Sequence, residues 1–131
     1  MAKYAYPAVF TKEREGYSIR FPDFDSCYTC AKTVEEGIDL ANDALCLVLY
    51  DLEEDGKVIP PVSDIKSVAV EDHEFVTLIG CDTLEYRKFY NNKAIKKTLT
   101  VPAWLNTMAE KQGINFSAVL QNALKKELNI R

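Results

Sequence analysis

The sequence lacks the features that mark membrane proteins, secreted proteins and phosphate-binding enzymes. No apolar run approaches the about 18 residues of a membrane span, and the first residues show no signal-peptide core. There is one histidine, and there is no glycine-rich phosphate loop, internal repeat or low-complexity stretch. We therefore expect a cytoplasmic protein without a membrane partner, whose four cysteines are thiols rather than disulfides.

Charge is distributed unevenly along the 131 residues, which suffice for one ordinary domain or two small ones. Residues 93–131 hold seven basic and two acidic side chains, a net charge of +5, whereas residues 1–92 carry −9. The basic part suits a polyanion and the acidic part suits a basic protein. The alternative is that both are solvated surfaces without partners.

The first half of the chain has the pattern of an antiparallel sheet. Residues 4–10 and 17–21 are apolar, aromatic or alternating runs, and the Glu15-Gly16 turn between them predicts a hairpin. Further short strands are predicted at residues 27–31 and 75–81.

A long helix is predicted between the third and fourth of these strands. Thr33 and Glu36 form a capping-box pattern at its start, and Gly56 provides a residue for its end. Apolar residues recur at helical spacing and predict its buried face: Val34, Ile38, Ala41, Leu45, Val48 and Leu52. The resulting β-β-β-α-β order predicts a small α+β domain, with one helix packed on one face of the sheet.

The change from acidic to basic composition near Asn91-Asn92 predicts a domain boundary. We expect a first domain at residues 1–85, a linker at 86–92 and a second domain at 93–131. Residues 95–101 alternate as in a strand, with Lys97 on the same side as Leu99 and Val101.

Two helices are predicted after that strand. Pro102 suits the first helix's start, Gly113 its end and Asn115 the cap of the second. The predicted apolar stripes are Trp104, Leu105, Met108 and Ala109, then Phe116, Val119, Leu120, Ala123, Leu124 and Leu128.

So short a module cannot enclose a core alone, and a single strand leaves both edges unpaired. Two copies that pair their strands antiparallel would solve both problems, so we expect a homodimer through this module. The sequence leaves open whether a tetramer forms.

This strand-helix-helix order, with Lys-x-Thr-x-Thr on the open strand face, resembles the ribbon-helix-helix repressors. That resemblance implies a two-stranded ribbon in the major groove of double-stranded operator DNA, with base contacts from Lys96, Thr98 and Thr100. It also implies that the start of the second helix binds a phosphate through Asn115, Phe116 and Ser117.

An ordered set of short motifs in the first half resembles the HicB antitoxin family. The set comprises Phe21-Pro22-Asp23-Phe24, Cys27-x-Thr29, Thr33-x-Glu35-Glu36, Ala41-x-x-Ala44-Leu45 and Ile59-Pro60-Pro61-x-Ser63. The sequence departs from the family at Asp25-Ser26, where Pro-Gly is frequent, and at Ala31-Lys32, where Gly-Asp is frequent. The resemblance implies a degraded ribonuclease-H-like domain that covers a small basic HicA toxin, an mRNA-cleaving protein, and an antitoxin that represses its own operon.

Acidic residues of the first domain are the candidate toxin contacts, because a toxin that binds RNA must present a basic surface. We expect these contacts at Asp23, Asp25, Glu53, Glu54 and Asp55.

Other functions are weaker alternatives on the sequence. Asp23 and Asp25 could hold a metal ion for a ribonuclease. Cys27-x-x-Cys30 is half of a zinc site, with Cys46, His73 or Cys81 as further ligands. A ribbon-helix-helix repressor with a ligand-sensing first domain is the remaining alternative. We assign no catalytic residue, metal or cofactor, and expect no enzymatic activity.

Overall fold

The computed structural model describes residues 2–130, and its first unit, which extends to Lys93, is built on an antiparallel sheet. Strand β1 (Lys3–Glu13) pairs with β2 (Gly16–Arg20) and with β4 (Glu74–Asp82), and β2 also pairs with β3 (Tyr28–Ala31). All pairings are antiparallel and the strand order is β3-β2-β1-β4. The strands confirm the sheet predicted from the sequence.

Gly16 fixes the hairpin between β1 and β2. Its φ of +135° is one that other residues rarely adopt, and a Cβ there would lie 2.2 Å from the carbonyl oxygen of Ala31. Position 16 of the predicted Glu15-Gly16 turn therefore requires glycine, because β3 approaches the backbone closely there.

Helix α1 (Val34–Glu54) begins and ends as predicted. The Thr33 hydroxyl accepts a hydrogen bond from the Glu36 amide at 3.1 Å, and Gly56 has a φ of +64° just after the helix. Thr33 is thus the N-cap, and the left-handed glycine terminates the helix.

The predicted buried face of α1 is wrong in part. Ile38 is 45% exposed, whereas the fully buried positions are Gly37, Ala41, Leu45, Cys46 and Leu49. A Cβ at Gly37 would lie 2.9 Å from both Ile19 Cδ1 and Phe10 Cε2, so the helix lies close to the sheet at this position, where it has no side chain. This rotates the buried face toward Gly37, and Val34, Val48 and Leu52 are only half-buried.

The core of the first unit lies between α1 and one face of the sheet. Tyr6, Phe10, Ile19 and Phe21 contribute the large side chains of the sheet and its flank, and Leu45 and Leu49 those of the helix. The loop after α1, which contains one 3-10 turn at Ile65–Ser67, is fastened to this body. Tyr6 donates its hydroxyl to the Pro60 carbonyl at 2.5 Å.

Helix α2 (Thr83–Tyr90) includes residues 86–90 of the segment 86–92 that the sequence assigns to a linker, and these residues are part of the first unit, which extends to Lys93. The Asp82 carboxylate caps the helix by accepting hydrogen bonds from the Leu84 and Glu85 amides at 3.0 and 3.3 Å. The segment is ordered as a helix because Tyr86 packs against the core and Arg87 binds α1.

The second unit starts at Ala94 and contains α3 (Ala103–Lys111) and α4 (Phe116–Glu127). Gly113, with a φ of +65°, separates them, and the Asn115 side chain accepts from the Ala118 amide at 3.1 Å. Both helices, the Gly113 break and the Asn115 cap are as predicted. None of the helices within residues 2–130 has the length and apolar character needed to cross a membrane.

The strand predicted at residues 95–101 is absent from the single chain, where residues 92–102 have no regular secondary structure. A strand is defined by hydrogen bonds to a neighbour, and residues 94–130 provide no second strand for it.

Candidate functional site

The second unit has no core of its own. None of residues 94–130 is buried; Leu120 is half-buried, and the other large apolar side chains of both helices are 40% exposed or more. A groove of about 580 Å³ runs through the unit, and its apolar lining consists of Leu99, Val101, Phe116, Val119, Leu120 and Ala123. Such an uncovered apolar surface is the feature of a chain that completes its core with another molecule.

Residues 96–101 divide into two sets by alternation. Lys97, Leu99 and Val101 line the groove, whereas Lys96, Thr98 and Thr100 are exposed and do not. This segment therefore has its apolar residues on one side, and on the other side the three side chains that the sequence predicts to contact bases. Lys97 lies with the apolar set, as the alternation predicts.

The three residues predicted to contact phosphate lie at the start of α4, with Asn115 as its N-cap. Asn115 uses its side-chain oxygen to cap its own helix, while Phe116 and Ser117 line the groove and are exposed. An α-helix N-terminus presents unpaired amide hydrogens and the positive end of the helix dipole. This end of the helix is thus chemically suited to an anion, and Phe116 has a second role in the apolar groove.

Three of the five candidate toxin contacts, Asp23, Glu53 and Glu54, have partners inside the first unit. Asp23 accepts hydrogen bonds from the amide and the hydroxyl of Ser63, the first at 3.0 Å, and so fastens the loop after α1 to the turn after β2. Glu53 lies in a hydrogen-bonded cluster with Tyr4, Thr83 and Arg87. Asp25 and Asp55 are exposed, and Glu54 forms an ion pair with Arg87.

The cluster around Glu53 joins α1, α2 and β1. The hydroxyls of Tyr4 and Thr83 donate to Glu53 Oε2 at 2.8 and 3.0 Å, and Arg87 Nη2 lies 3.1 Å from Oε1. Burial by itself would raise the pKa of Glu53, but hydrogen bonds to the carboxylate outweigh it and lower the pKa to about 2. No sequence pattern predicts this cluster, because its members lie far apart along the chain.

The residues considered for metal binding do not come together. Cys27 is buried and Cys30 is exposed, and burial raises the pKa of the Cys27 thiol to about 11, which opposes metal ligation as a thiolate. Within residues 2–130, no group of three or more His, Cys, Asp or Glu side chains is arranged to hold a metal ion.

Comparison with known proteins finds a family match and several similar proteins. The family model described as a HicB-like antitoxin of bacterial toxin-antitoxin systems matches residues 6–123. The chain is similar to a toxin-antitoxin complex from Streptococcus pneumoniae, with a TM-score of 0.62, 28% identity and coverage of 95% of this chain and 99% of that one.

Two further proteins are similar. A chain of the HicA3 and HicB3 toxin-antitoxin complex has a TM-score of 0.51 and 23% identity, over 60% of this chain and 99% of that one, which shows a shared fold. An uncharacterized 14.9 kDa protein from the rep-hol intergenic region of Haemophilus phage HP1 is 27% identical over 104 residues, or 76% of this chain and 74% of the phage protein.

Proposed function

The chain belongs to the HicB-like antitoxin family of bacterial toxin-antitoxin systems, and we propose that its first unit neutralises a HicA-like toxin while its second unit dimerises and binds operator DNA. The family consists of antitoxins, so the chain is a regulator and not an enzyme. The roles that we propose for the two units rest on their charges and exposed surfaces. We place this activity in the bacterial cytoplasm, where both toxin and operon reside.

Toxin neutralisation is supported by the charge of the first unit. Residues 1–92 carry −9, and an RNA-cleaving toxin needs a basic surface to hold its substrate. An acidic protein that occupies this surface excludes RNA by competition, and opposite charges accelerate the encounter. The similarity to a Streptococcus pneumoniae toxin-antitoxin complex agrees with this role.

Dimerisation is supported by the uncovered groove of the second unit. A second copy would pair its residues 95–101 antiparallel with those of the first, which supplies the missing strand partner. Leu99 and Val101 of both strands would then pack over the helices and bury the apolar lining of the groove.

Operator binding is supported by the polar side of the same segment, and the alternation of residues 96–101 is the observation that carries the proposal. With the apolar set turned to the groove, Lys96, Thr98 and Thr100 of each chain remain outside. A two-stranded ribbon fits the major groove, where lysine reaches guanine acceptors and threonine offers a hydroxyl and a methyl group. The α4 N-terminus would contact the phosphate backbone.

The test is binding to DNA from upstream of the chain's own gene, measured against salt concentration. We expect a steep negative slope of log affinity with log salt, and a loss of about 1–3 kcal/mol for Lys96→Ala and for Thr98→Ala, because each removes a base contact. Sedimentation should show both variants still dimeric.

Lys111→Ala, an exposed lysine at the end of α3, is the matched control. It should leave the preference for the operator over unrelated DNA unchanged. Full specific binding by the Lys96→Ala/Thr98→Ala double variant would reject the ribbon as the reading element.

A further inference from the structure

We propose that the toxin docks on one defined surface of the first unit, the aromatic strip, which consists of Leu47 and Tyr50 of α1 and Tyr86, Phe89 and Tyr90 of α2. This inference rests on the proposed antitoxin function and specifies its site. It differs from the acidic contacts expected from the sequence, because its centre is aromatic and its charges lie at the edge.

The rings of the aromatic strip are in contact with one another across the two helices. The ring centroids of Tyr50 and Tyr86 are 5.3 Å apart, those of Tyr86 and Tyr90 are 4.5 Å apart, and those of Phe89 and Tyr90 are 4.8 Å apart. Leu47 lies one turn before Tyr50 on α1 and therefore on the same side of the helix. The result is one continuous patch rather than scattered apolar residues.

This patch is open to solvent at its outer end. Leu47 is 50%, Phe89 77% and Tyr90 64% exposed, although each is a large apolar or aromatic side chain. Tyrosine-rich patches supply much of the binding free energy in protein interfaces, since a rigid ring buries a large area and its hydroxyl can still bond. An exposed cluster of this composition is typical of a docking surface.

The charge at the edge of the aromatic strip indicates a basic partner. Asp43 and Asp51 are exposed, and within residues 2–130 neither forms an ion pair. The two cations of α2 are paired, Arg87 with Glu53 and Glu54 and Lys88 with Glu85. Two uncompensated carboxylates beside aromatic rings would receive lysine or arginine side chains, which also bind ring faces.

The strip is held rigid before any partner arrives. Arg87 links α2 to the end of α1 through Glu53 and Glu54, and its guanidinium lies 4.6 Å from the centre of the Tyr50 ring. Because α2 is already ordered in the free protein, binding of a partner loses little conformational entropy there, which favours tight binding. A second copy of this acidic surface, or a nucleic acid, would bring like charges together at Asp43 and Asp51.

The experiment measures binding of the full chain to the purified HicA-like protein encoded beside its gene, by titration calorimetry. We expect the Leu47→Ala/Tyr90→Ala double variant to weaken Kd by at least about tenfold, since truncation of interface aromatics commonly costs this much. Asp43→Lys should weaken Kd by about tenfold at low salt and less at high salt, because it reverses a charge at the edge of the interface.

Matched substitutions elsewhere on the first unit serve as controls. Tyr28→Ala removes a tyrosine that is 74% exposed on β3, and Glu15→Lys reverses an exposed carboxylate in the β1–β2 turn. Both should leave Kd within about twofold of the unsubstituted protein, because surface changes outside an interface have little effect. Unchanged thermal unfolding of every variant shows that binding, not folding, is measured.

The outcomes separate the two levels of the proposal. Unsubstituted chain that fails to bind the toxin overturns the antitoxin assignment of the first unit, and the strip with it. If the Leu47→Ala/Tyr90→Ala and Asp43→Lys variants bind the toxin with unchanged Kd, or if the controls weaken Kd equally, the proposal that the toxin docks on the aromatic strip is wrong. A lower mass of the free double variant in sedimentation would also overturn it, since the strip would then join copies of this chain.

Discussion

The two units have similar fractions of apolar residues, but many of these residues are buried in the first unit, whereas they are largely exposed in the second. In the first unit Tyr6, Phe10 and Leu45 are at most 1% exposed, whereas in the second Val119 and Leu124 are about half exposed, at 56% and 51%. The first unit has a sheet that offers a broad face to a 21-residue helix. The second has two short helices and an extended segment, which cannot surround any residue, so we infer that its stability depends on a second chain.

The difference has a consequence for measurement, because the two units also differ in their chromophores. The single tryptophan, Trp104, lies in α3, whereas all seven tyrosines precede residue 94. Tryptophan fluorescence therefore reports the second unit, and near-ultraviolet circular dichroism of tyrosine reports chiefly the first.

The largest effect is expected from a charge placed in the groove of the second unit. Leu120→Glu would put a carboxylate among Leu99, Val119 and Ala123 in both copies of the proposed dimer. Burial of an unpaired charge costs several kcal/mol, so we expect about 4 kcal/mol or more of lost dimer stability and a monomer at micromolar concentration. Sedimentation velocity measures the mass.

Ile38→Glu is the matched control, because Ile38 is 45% exposed on α1 and the same substitution there is solvated. It should leave both the mass and the tryptophan signal unchanged. A Leu120→Glu protein that remains dimeric would contradict the proposal that this groove is the dimer interface.

The next effect compares the same truncation in the two units. Leu45→Ala removes a fully buried side chain, and we expect the free energy of unfolding of the first unit to fall by about 3 kcal/mol at every protein concentration. Leu120→Ala should instead lower the tryptophan-detected transition in a concentration-dependent way, because association and folding are coupled there. Urea titrations at two protein concentrations check both.

A concentration-independent loss in Leu120→Ala would show that the second unit is stable as a single chain. A concentration-dependent loss in Leu45→Ala would show that the first unit also depends on association. Either result removes the contrast between the units.

Local signals predicted the ends of the elements well. Gly16, Thr33, Gly56 and Gly113 act where the sequence places them, because a turn, a cap or a left-handed residue depends on neighbours within a few positions. The four strands follow from the same short-range patterns.

Features that depend on distant residues could not be predicted in the same way. The buried face of α1 is set by how closely Gly37 approaches Phe10 and Ile19, so its apolar pattern indicates a neighbouring face. Helix α2 was missed because its sequence is charged and its docking depends on Arg87 meeting Glu53 and Glu54, more than 30 residues earlier.

The candidate sites show the same division. Alternation along residues 96–101 could be predicted from the sequence, since it follows from backbone geometry alone. The aromatic strip could not, because it joins residues of two helices that are separated by the loop and β4. The internal roles of Asp23 and Glu53 were equally hidden, since an acidic residue has the same local pattern whether it faces solvent or a partner.

The smallest of the expected effects concerns Glu53, whose partners belong wholly to the first unit. Its folded-state pKa of about 2 lies below the ordinary value of 4.5, so the charged form is favoured by folding. The stabilisation is therefore fully present above pH 4.5 and is lost as the pH falls toward 2. We expect Glu53→Gln to lower the free energy of unfolding of the first unit by about 2 kcal/mol at pH 7.

The pH dependence distinguishes this carboxylate from the others. Because Gln cannot titrate, the difference in stability between Glu53→Gln and the unsubstituted protein should shrink between about pH 5 and pH 2, as protonation removes the same charge from Glu53. Asp25→Asn, at an exposed carboxylate, is the control and should leave the free energy of unfolding at pH 7 nearly unchanged. A constant difference across this range would mean that Glu53 stabilises the first unit by its shape and hydrogen bonds rather than by its charge. Convergence would show that the charge of Glu53 stabilises the first unit.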